Sequence, residues 1–290
     1  MERVKKEVRA RQVYKEGYTG KGVRIALLDT GVSPINELKR NIVYFKDYIR
    51  GKNVAYDDNG HGTHIAGILC GGIGENHKIM GMAPHAELFV YKILDKRGNG
   101  STQKAIQALE WIQKYHKKYN IRILNFSMGY LPNTNPNLQN VLMNKLEELW
   151  DEGVIVVTAA GNNGPGEETI TVPGISRKVI TVGSSDDIYI TNTSYSGRGP
   201  TECCIVKPEI LAPGTKIKSY GRKEGTYEIK SGTSMSVPIV CGALALALEK
   251  RPDLSPMEIK MLLYDTVSEK IKNLTPSWGI LDVDNLMKML

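Results

Sequence analysis

Five short runs in this chain are almost continuously apolar: "VRIALLD" (23–29), "AELFVYKIL" (86–94), "IRILNFSM" (121–128), "VIVVTAA" (154–160) and "KVITVGS" (178–184). A strand with one face in water alternates polar and apolar residues. Unbroken apolar runs of this length read instead as strands covered on both faces, as in a parallel sheet. Parallel neighbours need long crossovers, and amphipathic stretches stand between the runs to supply them. "STQKAIQALEWIQKYHKKYN" (101–120) spaces Ile106, Leu109 and Ile112 helically after a Ser/Thr start. "NLQNVLMNKLEELWDEG" (137–153) sets Leu138, Val141, Leu142, Leu146 and Leu149 on one face and stops at Gly153. Two helices follow late. "TSMSVPIVCGALALALEKR" has Pro238 expected near its first turn, and "SPMEIKMLLYDTV" is opened by Ser255 and Pro256. The pattern predicts one α/β domain over residues 20–290, three-layered and doubly wound around a mostly parallel central sheet, with a basic segment at 1–19 before it.

The net charge of +7 is spread over Lys and Arg interleaved with Glu. A nucleic-acid binder would gather its cations into a stripe with aromatics between them, so a solvated basic surface is expected and no nucleic-acid partner. No stretch reads as a membrane span, and the N-terminus has no apolar signal core. Cys70, Cys203, Cys204 and Cys241 show no C-x-x-C spacing. They read as a reduced set, and a cytoplasmic location is expected if Met1 is the natural start.

Ligands of doubly wound folds bind beyond the C-terminal ends of the strands, so the residues following each run matter most. Asp29 ends the first run at "LLDTG". His61 and His64 lie in "DDNGHGTHIAG", Asn162 in "GNNGPG", and Ser231, Ser234 and Ser236 in "SGTSMSVP". Each has an ordinary structural reading. Asp29 could cap or turn the chain, Asn162 could occupy a left-handed turn, and either histidine could bond backbone, the preferred reading for His64. The histidines stand at i and i+3 without the Glu of a zinc-protease helix, so no metal site is expected. As a set they offer one candidate for each part of nucleophilic hydrolysis: a serine, an imidazole base, a carboxylate to orient it and an amide donor for an oxyanion.

At that point the sequence resembles the subtilisin-like serine proteases, the subtilase family. "ALLDTGV", "NGHGTHIAGI" and "SGTSMSVP" match its three signatures in order, and "NFSMG", "VVTAAGNNGPG", "ITVGSSD", "YSGRGP" and "KPEILAPG" extend the match over nearly the whole chain. The resemblance implies a serine endopeptidase. Ser234 would be its nucleophile, His61 its general base, Asp29 the group orienting His61, and Asn162 with the Ser234 N–H the oxyanion donors. It leaves Ser231 and Ser236 as turn or helix-start residues. It also implies a protein or peptide substrate pairing with Ser127, Met128 and Gly129, while Ala159, Ala160 and Gly161 form the opposite wall of the primary pocket. No cofactor is required on this reading. Calcium finds weak support, because "GGIGENHKIMG" (71–81) lacks the Asn-rich calcium loop of secreted members and Glu37 stands near where a calcium-binding Asp is often found. The details of "YKILDKRGNGS" sit nearer to intracellular, AprX-like bacterial subtilases than to secreted ones. Asp57, Asp58, Glu167 and Glu168 are expected to be solvated loop carboxylates. The segment 1–17 is either an inhibitory strap across the cleft or an element packed on the domain. Two alternatives keep the fold and change the job: a catalytically silent peptide-binding or regulatory protein, and a dedicated peptide-maturation protease.

Overall fold

A computed structural model describes residues 1–72, 81–129, 136–188, 194–268 and 277–290. The five apolar runs form β1 (Arg24–Asp29), β3 (Glu87–Lys92), β4 (Ile121–Phe126), β5 (Ile155–Ala159) and β6 (Ile180–Ser184). They sit inside a sheet that β2 (Ile42–Asp47), β7 (Ile210–Ala212) and β10 (Gly279–Ile280) complete, in the order β10-β7-β6-β5-β4-β1-β3-β2. Every neighbouring pair is parallel. The added strands are those with the weakest apolar signal. β2 lies at the sheet edge with only Phe45 and Asp47 buried, and β7 and β10 are three and two residues long. A separate antiparallel hairpin joins β8 (Ile217–Tyr220) to β9 (Tyr227–Lys230).

Helices cover both faces. α3 (His61–Cys70) packs with α6 (Thr233–Lys250) on one side, and α4 (Thr102–Tyr119) packs with α5 (Pro136–Asp151) on the other. Ser101 caps α4 by accepting from the Lys104 N–H, and Ser255 with Glu258 forms a reciprocal capping box on α7 (Pro256–Thr266). α6 departs from the sequence expectations in two ways. It is long and apolar enough to cross a membrane by length and composition, yet 83% of that stretch is buried inside the protein. It is the central helix, lying against β4, β5, β6 and β7. Pro238 is its sixth residue, past the first turn, so the carbonyl left without a helical donor is that of Ser234.

At the N-terminus, α1 (Glu2–Glu7), α2 (Arg11–Lys15) and the turn between them bury Val4, Val8, Ala10 and Val13 in the same apolar cluster as the sheet and helices. Arg9 bonds Asp282 and Asp284 at 2.6 and 2.5 Å, at the start of α8 (Val283–Lys288). Arg3 reaches Asp186 at 2.7 Å, and the Tyr14 hydroxyl donates to the Met82 carbonyl.

Chain order along the sheet reverses at β1. From it the chain goes out to β2 at one edge and comes back to β3, then crosses to β4 on the other side of β1 and runs through β5, β6 and β7 toward the other edge. Helices on opposite faces part there and leave a crevice beyond the strand ends. Asp29 is the last residue of β1, and Ser127 follows the last residue of β4.

Candidate active site

The crevice is a cleft of about 540 Å³ whose lining includes His61, Ser127, Met128, Gly129 and Ser234. His61 opens α3, after Gly60 in a left-handed conformation at the cap. Its Nδ1 lies 2.8 and 2.9 Å from the two carboxylate oxygens of Asp29. Asp29 is fully buried and one of its oxygens also accepts from the Thr30 N–H at 2.7 Å. Nδ1 therefore carries the proton and Nε2 is left as the basic nitrogen. Burial works against the imidazolium, but Asp29 outweighs it by charge and hydrogen bond, so the His61 pKa is held above its ordinary value.

Close approach of α3 to the end of β1 makes this contact possible. A Cβ on Gly62 would stand 2.0 Å from the Gly31 carbonyl oxygen and 3.1 Å from Asp29 Oδ1. Asp57 fixes the loop before the helix: one oxygen accepts from Thr30 Oγ1, Asn59 N and Gly60 N, and the other from Thr63 N and Oγ1. Asp58 bonds the fully buried Lys92 ammonium at 2.7 Å, and Lys92 also donates to the carbonyls of Thr30 and Leu94. The expectation of solvated carboxylates thus fails for Asp57 and Asp58, because the backbone donors of a helix start and a buried cation claim them. Glu167 and Glu168 are exposed, as expected. His64 is fully buried, its Nε2 shared between the carbonyls of Ile217 and Glu228 at 3.1 and 3.2 Å. It bolts α3 to the β8–β9 hairpin, and burial drops its pKa to about 4.

The three serines separate cleanly. Ser231 accepts from the Lys216 N–H, and Ser236 is buried and donates to the Ala212 carbonyl. Ser234, the second residue of α6, alone lines the cleft. Its hydroxyl donates to the Ser127 carbonyl at 2.9 Å. Rotation about its Cα–Cβ bond is what would turn it toward the imidazole on the same cleft. Asn162 Oδ1 accepts from Thr233 N at 2.9 Å and from Thr233 Oγ1 at 3.1 Å, so its amide NH₂ is turned away and free to donate. Gly232, at φ +147°, leaves room for it: a Cβ there would lie 3.2 Å from Asn162 Nδ2.

The two expected substrate walls differ. Ser127, Met128 and Gly129 line the cleft, whereas Ala159, Ala160 and Gly161 are buried. The backbone of this second wall is already occupied. Ala160 N donates to Val182 O, Ala160 O accepts from Thr171 N, and Gly161 O accepts from Gly197 N. Of the two expected walls, the 127–129 side is the one that lines the cleft. Leu94, Arg97, Gly98, Asn99 and Gly100 line the cleft opposite and were missed in the sequence. Their signal was the glycine-rich "KRGNG", which reads equally well as a turn. Among the described residues no group of three or more His, Cys, Asp or Glu could hold a metal ion. Residues 73–80, most of the loop compared with the calcium loop, lie outside the described residues.

The Subtilase family model matches residues 20–280. Serine protease AprX of Bacillus subtilis (strain 168) is 38% identical over 295 residues, covering 93% of this chain and 65% of that protein. Subtilisin Savinase of Lederbergia lenta is 33% identical over 261 residues, covering 90% and 89%. Among solved structures, Sphericase superposes with a TM-score of 0.80 at 28% identity, covering 91% of this chain and 92% of that one. The chain spans about two thirds of AprX and 63% of an alkaline protease from Alkalihalobacillus alcalophilus that it also matches. With signature order, parallel sheet and family match in agreement, the chain belongs to the subtilase family.

Proposed function

We propose that this protein is a serine endopeptidase that hydrolyses peptide bonds through an acyl-enzyme on Ser234. The observation that carries the reading is the Asp29–His61 contact facing the cleft that Ser234 alone of the three signature serines lines. Ser234 Oγ turns from the Ser127 carbonyl, gives its proton to His61 Nε2 and attacks the scissile carbonyl. Asp29 holds the ring and stabilises the imidazolium. The carbonyl oxygen, now negative, moves toward the Asn162 NH₂ and the Ser234 N–H near the start of α6, where the helix end favours negative charge. His61 then protonates the leaving amine, and water, deprotonated by the same ring, releases the acyl group. Every step uses side chains and backbone of this chain. The substrate is a protein or peptide laid in extended form along 127–129. The four unpaired thiols fit a reducing compartment.

A fluorophosphonate probe should label the protein stoichiometrically and lose its target in Ser234→Ala. A folded wild-type protein that stays unlabelled would point instead to a silent peptide-binding subtilase.

A further inference from the structure

Neither the three signatures nor the proposed chemistry uses a cysteine, and the four cysteines divide into two kinds. Cys70 and Cys241 are buried in α3 and α6, and burial pushes both thiols up, which leaves them inert. Cys203 and Cys204 are exposed neighbours. They stand at the tip of a hairpin whose rungs are Gly199 N–H to the Lys207 carbonyl at 2.8 Å and Thr201 N–H to the Ile205 carbonyl at 3.2 Å. The Cys204 N–H closes the turn on the Thr201 carbonyl at 2.7 Å. The fully buried Lys207 anchors the base, its ammonium donating to the Val179 carbonyl and Glu209. A hydrogen-bonded turn thus presents two thiols together. Beside them is a cavity of about 480 Å³ that Cys203 lines with Met143, Ile170 and Val172, and it shares no described lining residue with the cleft.

A pair of adjacent thiols has two ways of acting as a unit. A disulfide between them is strained, because consecutive Cα atoms stand about 3.8 Å apart whereas disulfides ordinarily span roughly 4.4–6.8 Å. Strained disulfides are readily reduced. One soft atom bonded to both sulfurs lengthens the link and avoids that strain, and thiolates select soft centres. We infer that Cys203, Cys204 and the adjoining cavity form a binding site for trivalent organoarsenicals, with both sulfurs on arsenic and the apolar substituent against Met143, Ile170 and Val172. For an arsenous oxide, two As–S bonds form, the As=O bond breaks and the two thiol protons leave on its oxygen as water. No oxidant is needed, since arsenic stays trivalent. The site goes beyond the endopeptidase reading and stands whether or not Ser234 reacts.

The probe is phenylarsine oxide, followed by intact-mass spectrometry and thiol counting. The folded wild type should take up a single phenylarsenic group and lose both exposed thiols. Two-point attachment tightens binding by about 10²–10⁴-fold over a single point, so the adduct should survive excess 2-mercaptoethanol and be stripped by 2,3-dimercaptopropanol. Cys203→Ser and Cys204→Ser should each lose at least about 100-fold in affinity. An adduct that the monothiol removes from the wild type, or one that persists undiminished in either variant, overturns the site. The wild type also decides the matter without any variant: bound arsenical must protect Cys203 and Cys204 together from N-ethylmaleimide in peptide mapping. Protection of one thiol or of neither overturns the site as well. Met143→Glu, which sets a charge against the phenyl ring, should weaken phenylarsine oxide several-fold and leave inorganic arsenite unchanged. An equal effect on both, or none on either, overturns the seating of the ring.

Discussion

The chemistry turns on how one carboxylate fixes one ring. Because Asp29 is fully buried, its charge is little screened and its hold on His61 is strong. A protonated His61 cannot take the serine proton. A pKa held above the ordinary 6.5 therefore moves the acid limb of the kcat/KM profile to the alkaline side of pH 6.5. Asp29→Asn removes the charge, so that limb should shift toward lower pH while kcat falls by about 10⁴-fold, the order seen for this substitution in other Ser-His-Asp enzymes. A pH–rate profile of the variant measures both. An unshifted limb would mean that another group sets the titration. The residue scale also shows why two glycines belong to the site without doing chemistry. At Gly62 a side chain would push α3 off Asp29, and at Gly232 it would crowd the Asn162 amide.

At the scale of elements, His64 shows how a second histidine in the same signature can be purely structural. From the sequence its backbone-bonded role was the favoured reading, but its partners were not legible: Ile217 and Glu228 lie more than 150 positions away, on β8 and β9. Its folded pKa of about 4 lies below the unfolded value near 6.5, so between those limits the unfolded chain binds a proton that the folded chain refuses. Stability from this group is complete above pH 6.5 and is lost as pH falls toward 4, by roughly 3 kcal/mol in all. Denaturant titrations of the wild type at pH 7 and pH 4.5 should show that loss, and His64→Gln, which keeps a donor for the carbonyls, should show a smaller one. The strands divide in the same way. β1, β3, β4, β5 and β6 were readable because burial on both faces demands apolar residues throughout. β2 was not, because an edge strand buried at two positions has little need to be apolar.

On the scale of the whole molecule, the N-terminal segment is a structural part of the domain. None of residues 1–17 lines the cleft, and its polar contacts run to Met82, Asp186 and Asp282 instead. Deleting residues 1–17 should lower the melting temperature, since each exposed valine forfeits about 1.5–3 kcal/mol of burial, and should not raise activity on a peptide substrate. A gain in activity at unchanged stability would restore the inhibitory strap. Lys207 is fully buried and bonded to Glu209 at 2.7 Å, just before β7, and Lys260 reaches the same carboxylate oxygen at 2.8 Å. This triad ties α7 to the strand ends, a link between positions that local pattern does not encode.

The sequence by itself determined the layer architecture and named the candidate groups for the proposed reaction. Both are written in local features: apolar runs long enough for a covered strand, and short signatures that must keep their glycines. Tertiary structure alone decided which of the expected walls lines the cleft and which carboxylates were already spent on helix starts and buried cations. Those outcomes depend on distances between segments far apart in the chain, and hydrogen-bond and van der Waals contacts are settled only when the segments are packed together.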